Sequence, residues 1–380
     1  KRGAGPLDAL TLSEQVEMQG TELAVAVSQD VTTIGFTALK ENSLPVLDLM
    51  TKVVMQPTFP SAEVERVRRE RLTAVALERA NPNSLASRAF QRTIYGKHPY
   101  GHVVLGEERV LKRLQPEMLQ AFHQQHFRPA NMAMIVVGDI THAEAVDMIA
   151  TRFGDWQARQ GRLAAPGKVR SRPAGVFVID KDNASQSQLR LGHLGTYRNN
   201  PDYAPLVIAN AILGGLFSSR INMNLREDKG YTYGARSSFG YVRGQGSFVV
   251  STGVRTDVTD AAIREILKEI KAMRTADVTE AELRHAKDRY ILSLPAQFQT
   301  IGAISAHIAH LYIYELPLDY YATLPAQLEA VSVRDVRQVA ELYLQPQDLQ
   351  IVVVGDRERI ESGLKDLDLG PILSLTPSAG

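Results

Sequence analysis

Apolar positions recur at Ile263, Ile266, Leu267 and Ile270, and 217 residues earlier the same spacing runs through Val46, Leu49, Met50 and Val53. Steps of three and four place each set on one face of a helix. In the first half, β-prone residues within 27 to 39 (Thr33, Ile34, Gly35, Phe36, Thr37) predict a strand, and the pattern from Leu44 to Val54 predicts the helix after it. A second helix is expected from Ser61, a suitable N-cap, through the charged stretch to Glu78, where Asn81-Pro82-Asn83 stops it. A helix near Pro116 to His126 and a strand from Met132 to Val137 follow. The second half repeats this order: strand Ser247 to Val254, helices Asp257 to Met273, Thr279 to Leu294 and Val333 to Leu342, and strand Leu349 to Val354. Each half therefore reads as an α+β unit, an antiparallel or mixed sheet with helices packed on one face.

The repetition extends to individual residues. Phe127-Arg128-Pro129 through the apolar run to Gly138-Asp139 is answered by Leu344-Gln345-Pro346 through Gly355-Asp356, and Ser61 to Glu65 sits over Val278 to Glu282. A period of 217 residues indicates a duplicated domain rather than a solenoid unit. The predicted organisation is a first domain over 1–160, a linker over 161–175 rich in Gly, Pro, Arg and Lys, and a second domain over 176–380. The second domain opens with a strand at Val176 to Ile179, another near Gln188 to Leu194, and an apolar helix from Tyr203 to Leu213. The 217 offset carries these positions below residue 1, so the first domain is expected to lack its leading strands and first helix, through trimming or absence from the sequence. Its sheet would then have an open edge or a partner. Lys1 to Pro6 reads as a loop, with no charged-then-apolar signal segment.

Composition narrows the function classes. With 380 residues, 44% hydrophobic, the chain can bury two ordinary cores. Its 43 basic and 42 acidic residues leave a net charge of +1, without the electrostatic footprint of nucleic-acid or anionic-membrane binding. The longest apolar runs have strand length, short of the roughly 18 to 20 residues of a membrane span. With no cysteine, disulfides, thiolate metal sites and cysteine nucleophiles are excluded.

Several candidate features have ordinary readings. His123 with His126, and His307 with His310, are spaced to share a metal, yet neither pair has an intervening Glu or an evident third ligand. Both pairs read as solvated or packing histidines. The run Arg66 to Arg71 is interleaved with Glu63, Glu65, Glu70 and Glu78, which suits a salt-bridged helix face. The glycines at 214–215 and 244–246 match no phosphate-cradling pattern and read as turns.

One passage of the second half carries more. Leu213-Gly214-Gly215-Leu216-Phe217-Ser218-Ser219-Arg220, followed by Leu225-Arg226-Glu227-Asp228-Lys229-Gly230-Tyr231-Thr232-Tyr233, resembles the second-domain signature of the pitrilysin/insulinase-type zinc metallopeptidases. Tyr95-Gly96-Lys97-His98-Pro99-Tyr100-Gly101 and the stretch Phe127 to Asp139 resemble the same family, so the likeness covers the whole chain. The resemblance implies the two-domain LuxS/MPP-like metallopeptidase fold. It also implies that Arg226 and Tyr233, seven residues apart, form the family's substrate-contacting pair. The 217 offset puts Ala9 and Val16 at the equivalent places, and a three-residue slip puts Leu12 and Gln19 there, so the pair is peculiar to the second half.

Members that bind zinc carry H-x-x-E-H, two His one helical turn apart with the Glu as general base, and this chain has no such motif. The family's third ligand lies seven residues after a Glu-Arg pair. Here Glu70-Arg71 leads to Leu77, with Glu78 about 100° further round the helix. The resemblance thus implies a zinc-lacking subunit of a bacterial two-chain endopeptidase with no metal ligand of its own. Zinc is expected in a homologous partner carrying H-x-x-E-H, the substrate is an unfolded peptide, and the address is periplasmic. Arg226 would orient the peptide backbone through its planar donor fork, and Tyr233 would hydrogen-bond the carbonyl or tetrahedral oxyanion. The alternatives are a purely structural, core-protein-like subunit and a single-chain peptidase that has lost its front end.

Overall fold

A computed structural model of the chain describes residues 3–156, 161, 167–170 and 173–376. Parts of the expected linker, 162–166 and 171–172, lie outside the described residues. The chain divides into two compact units. One comprises Lys1–Ala76, Val104–Ala165 and Gln297–Ile313, and the other Leu77–Val103, Pro166–Ala296 and Tyr314–Gly380. The units follow the sequence halves except for two stretches that change sides. These stretches hold the helices Pro82–Tyr95 and Ile301–Ile313, and the 217 offset places one over the other.

The first unit is built on the helix Lys40–Met55, whose Val46, Leu49, Met50 and Val53 are buried with Leu12 and Val16 from the helix Ala9–Glu17. A hairpin of β1 (Ala24–Val27) and β2 (Thr32–Gly35) leans Ile34 on this cluster. The helix Ser61–Ala80 begins at the expected serine, and its charged face is laced by Arg66 to Glu63 (2.7 Å) and Glu70 and by Arg68 to Glu65. The helix Pro116–His126 also forms as expected.

The expected strand Met132 to Val137 does not form. A strand needs a hydrogen-bonded neighbour. In the second unit the counterpart Gln350–Gly355 is paired on both sides. Met132 to Val137 has no ladder partner among the described residues, and Met132, Met134 and Val136 stay more than a third exposed.

The second unit holds a six-stranded sheet in the order β5-β6-β4-β7-β3-β8, formed by β3 (Gly175–Asp180), β4 (Gln186–Leu194), β5 (Thr232–Gly240), β6 (Ser247–Arg255), β7 (Gln350–Gly355) and β8 (Ile372–Ser374). The β5-β6-β4-β7 run is antiparallel, and β3 lies parallel to β7 and β8. Strand alternation gives the sheet two apolar faces. On one, Val176, Val178, Leu189, Leu191, Phe248 and Val250 are almost wholly buried. On the other, Ile179, Val352 and Val354 pack against Leu85, Ala89 and Phe90 of the helix Pro82–Tyr95. This helix comes from the first half of the sequence. Asn81 caps it through its side chain, with Pro82 in the first turn, and Tyr100 just beyond it is buried with its hydroxyl accepting from Gly244 N at 3.0 Å. Arg190 on β4 donates to Asn83 O (3.0 Å) and Ser87 Oγ (3.0 Å) of the same helix.

The apolar stretch expected from Tyr203 to Leu213 is helical to Gly215, breaks at 216–219 and resumes from Arg220 to Asp228; taken together it is long and apolar enough by composition to cross a membrane. More than half of its most apolar window is buried inside the protein, which is how the core helix of a globular unit behaves.

Candidate active-site frame

The run 203–228 contains two wider, π-type turns, Ala211–Gly215 and Met223–Asp228. In the second, Lys229 N bonds back five residues to Asn224 O at 3.0 Å, and such turns rotate the side chains that follow. Gly214, in the first, lies so close to β5 that a Cβ there would meet Ser237 N at 2.5 Å. Leu225 is fully buried, and Asn224 donates to Glu265 (2.9 Å) and Glu269 (2.7 Å) of the helix Thr259–Thr275. With its neighbours anchored inward, Arg226 points outward. Its guanidinium lies 4.7 Å from the centre of the Phe217 ring and 3.2 Å from Glu227.

After Asp228 the chain reverses through Gly230, whose φ of +62° is costly for residues with a Cβ. Tyr231 N donates to Leu225 O at 2.8 Å, tying the entry of β5 to the residue before Arg226. A β-bulge then falls between Thr232 and Ala235. It is fixed by Thr232 Oγ1, which donates to Gly253 O (2.7 Å) and accepts from Gly234 N (3.1 Å), and by Thr252 Oγ1, which donates to Gly234 O (3.0 Å). Tyr233 sits in the bulge with 90% of its surface exposed. Bulges of this kind re-aim a side chain, and here the phenol is turned to solvent on an edge strand.

One buried side chain links the two features. Asn222 donates through Nδ2 to Phe217 O (2.7 Å) and accepts through Oδ1 from Ala235 N (3.0 Å). The ring beneath Arg226 and the bulge holding Tyr233 are thereby bound to one amide. The loop before it is held as well, by Ser218 Oγ to His285 Nε2 at 2.9 Å and by a two-pronged Arg220–Glu282 pair at 2.6 and 2.8 Å. Arg226 and Tyr233 are the residues singled out from the sequence; Phe217 lies in the signature quoted there without a role, and Asn222 lies between its two segments.

The Arg220 guanidinium, aided by Thr279 at the cap of the helix Glu280–Ser293, holds the Glu282 carboxyl down at about 2. A depressed folded-state value stabilises above the ordinary carboxylate range, and that stability is lost as protons are taken up. Thermal melts should therefore show the midpoint falling as pH drops from 4.5 towards about 2. Glu282→Gln should flatten that part of the profile, and an unchanged slope would show that the pair contributes nothing.

The candidate histidines His123, His126 and His307 have other partners. Among the described residues no group of three His, Asp or Glu side chains could hold a metal. His123 Nε2 lies 2.7 Å from Val54 O with its ring against Phe127, His126 stacks on Phe122, and His307 stacks on Phe298. Leu77, at the place of the third ligand, is exposed and apolar.

Fold and sequence together are similar to those of the M16 peptidase type. Residues 113–290 match the family model described as the peptidase M16 inactive domain. A crystal structure of a peptidase M16 inactive domain from Pseudomonas fluorescens is 25% identical and superposes with a TM-score of 0.87 over 93% of this chain and 85% of that one. A protease from Helicobacter pylori, 18% identical, shares the fold at a TM-score of 0.87 over 93% and 86%. Among curated relatives, an uncharacterized zinc protease of Mycobacterium leprae is 26% identical over 73% of this chain and 63% of its own length. The uncharacterized zinc protease YmxG of Bacillus subtilis is 21% identical over 80% and 73%.

Proposed function

We propose that this protein is one subunit of a heteromeric zinc metalloendopeptidase, binding and positioning an unfolded peptide through Arg226 and Tyr233 while a homologous partner carries H-x-x-E-H and the zinc. The observation that carries this reading is the presentation of two hydrogen-bond donors, a half-exposed guanidinium and a solvent-facing phenol, by a frame anchored at Asn222, Asn224, Leu225 and Thr232. Addition of water to a peptide bond places negative charge on the carbonyl oxygen, and preorganised donors stabilise it without reorganising. The zinc-protease names of the relatives support the reaction class, and the inactive label of the matched domain supports a division of labour between chains. A periplasmic address goes with this reading on resemblance to the short bacterial two-chain members alone.

The test is to purify this chain alone, its zinc-bearing homologue alone, and the two together, and to measure bound zinc and cleavage of a flexible peptide. Neither zinc nor cleavage is expected from this chain by itself, and both from the pair. Stoichiometric zinc or proteolysis from the isolated chain would sink the proposal. The inactive-domain label also favours a second reading, a scaffold subunit in which the pair is a relic. On that reading Arg226→Ala leaves the activity of the pair untouched.

A further inference from the structure

Phe217 is 62% exposed, and a single apolar side chain at a surface needs no explanation by itself. What distinguishes this one is its setting. Its carbonyl is held by the buried Asn222, the residues beside it are tied by Leu216 O to Ser219 N (3.2 Å) and by Ser218 to His285, and its ring lies 4.7 Å from the Arg226 guanidinium. Among the described residues Arg226 pairs with Glu227, its exposed sequence neighbour, and a contact of that kind gives little orientation. An aromatic face attracts a guanidinium and fixes its plane.

We propose that Phe217 is a positioning residue. Its ring is the platform that holds Arg226 in one orientation, and Asn222 fixes that platform relative to the Tyr233 bulge. This rests on the function proposed above and adds a residue to it. Arg226 grips the peptide backbone before and during reaction alike, so loss of the platform should appear mainly as weaker binding, in KM rather than kcat.

The experiment uses the reconstituted pair and a flexible peptide, with Phe217→Ala, Phe217→Leu, Phe217→Trp, Arg226→Ala and the Phe217→Ala/Arg226→Ala double variant. About a fivefold rise in KM is expected for both Ala and Leu at 217, with Trp close to the parent, because an exposed cation–π contact has that magnitude. On the Arg226→Ala background, Phe217→Ala should add nothing, since coupled residues are not additive. Leu keeps the apolar bulk, so a loss shared by Ala and Leu reports the ring rather than packing. If Arg226→Ala matters but Phe217→Ala is silent, is rescued by Leu, or adds fully to Arg226→Ala, this inference alone is overturned. A silent Arg226→Ala overturns the proposed function and this inference with it.

Discussion

Tyr233→Phe should lower turnover of the reconstituted pair about 100- to 1000-fold, the usual consequence of removing one oxyanion donor, while leaving the unfolding curve unchanged. Both halves of that expectation come from the bulge. A side chain 90% exposed makes little contribution to stability, so deleting one oxygen from it cannot unfold the protein. Yet the backbone beneath it is held by Thr232, Thr252 and Asn222, an expenditure of buried polar groups that a random surface tyrosine does not attract. The measurement is kcat on a peptide substrate beside a urea melt of the variant. Equal kcat for Phe and Tyr would remove Tyr233 from the chemistry, and a large shift in the melt would show that the hydroxyl is structural.

Phe90→Ala should destabilise the second unit by about 3 to 5 kcal/mol, the cost of a large core cavity. Phe90 belongs to the first half of the sequence, yet it is 6% exposed over the sheet of the second unit. Space for it exists because β4 has Gly192 there: a Cβ on that residue would lie 2.7 Å from the tip of the Phe90 ring. Urea unfolding followed by the signals of the second unit reads the effect. A shift below about 1 kcal/mol, the level of an ordinary surface change, would mean that the helix Pro82–Tyr95 is not part of that core.

Much of the frame was legible because helices and buried strands announce themselves by period. The repeated spacing at Val46 to Val53 and Ile263 to Ile270 did become matching core helices. The pattern shows that an element has an apolar stripe but not whose sheet the stripe covers, so the exchange of two helices between units left no trace in it. Asn81-Pro82 read as a stop and proved to be a start as well, with Asn capping and Pro opening the next helix. Met132 to Val137 carries as good a strand pattern as Ile351 to Val354, and only the neighbours differ. At the candidate site, Arg226 and Tyr233 were visible through the signature that encloses them. Phe217 stood in that signature without a role and Asn222 outside it, because a platform and a clamp are defined by what they touch.

The kink at Thr232–Ala235 has a consequence beyond aiming a phenol. Outer strands invite other molecules to zip on, since their amides stand in a row without mates. Here the first stretch of that row is thrown out of step, and the exposed Arg236 follows as a charged guard. The feature that presents the candidate hydroxyl also breaks the regular row of amides along the same border.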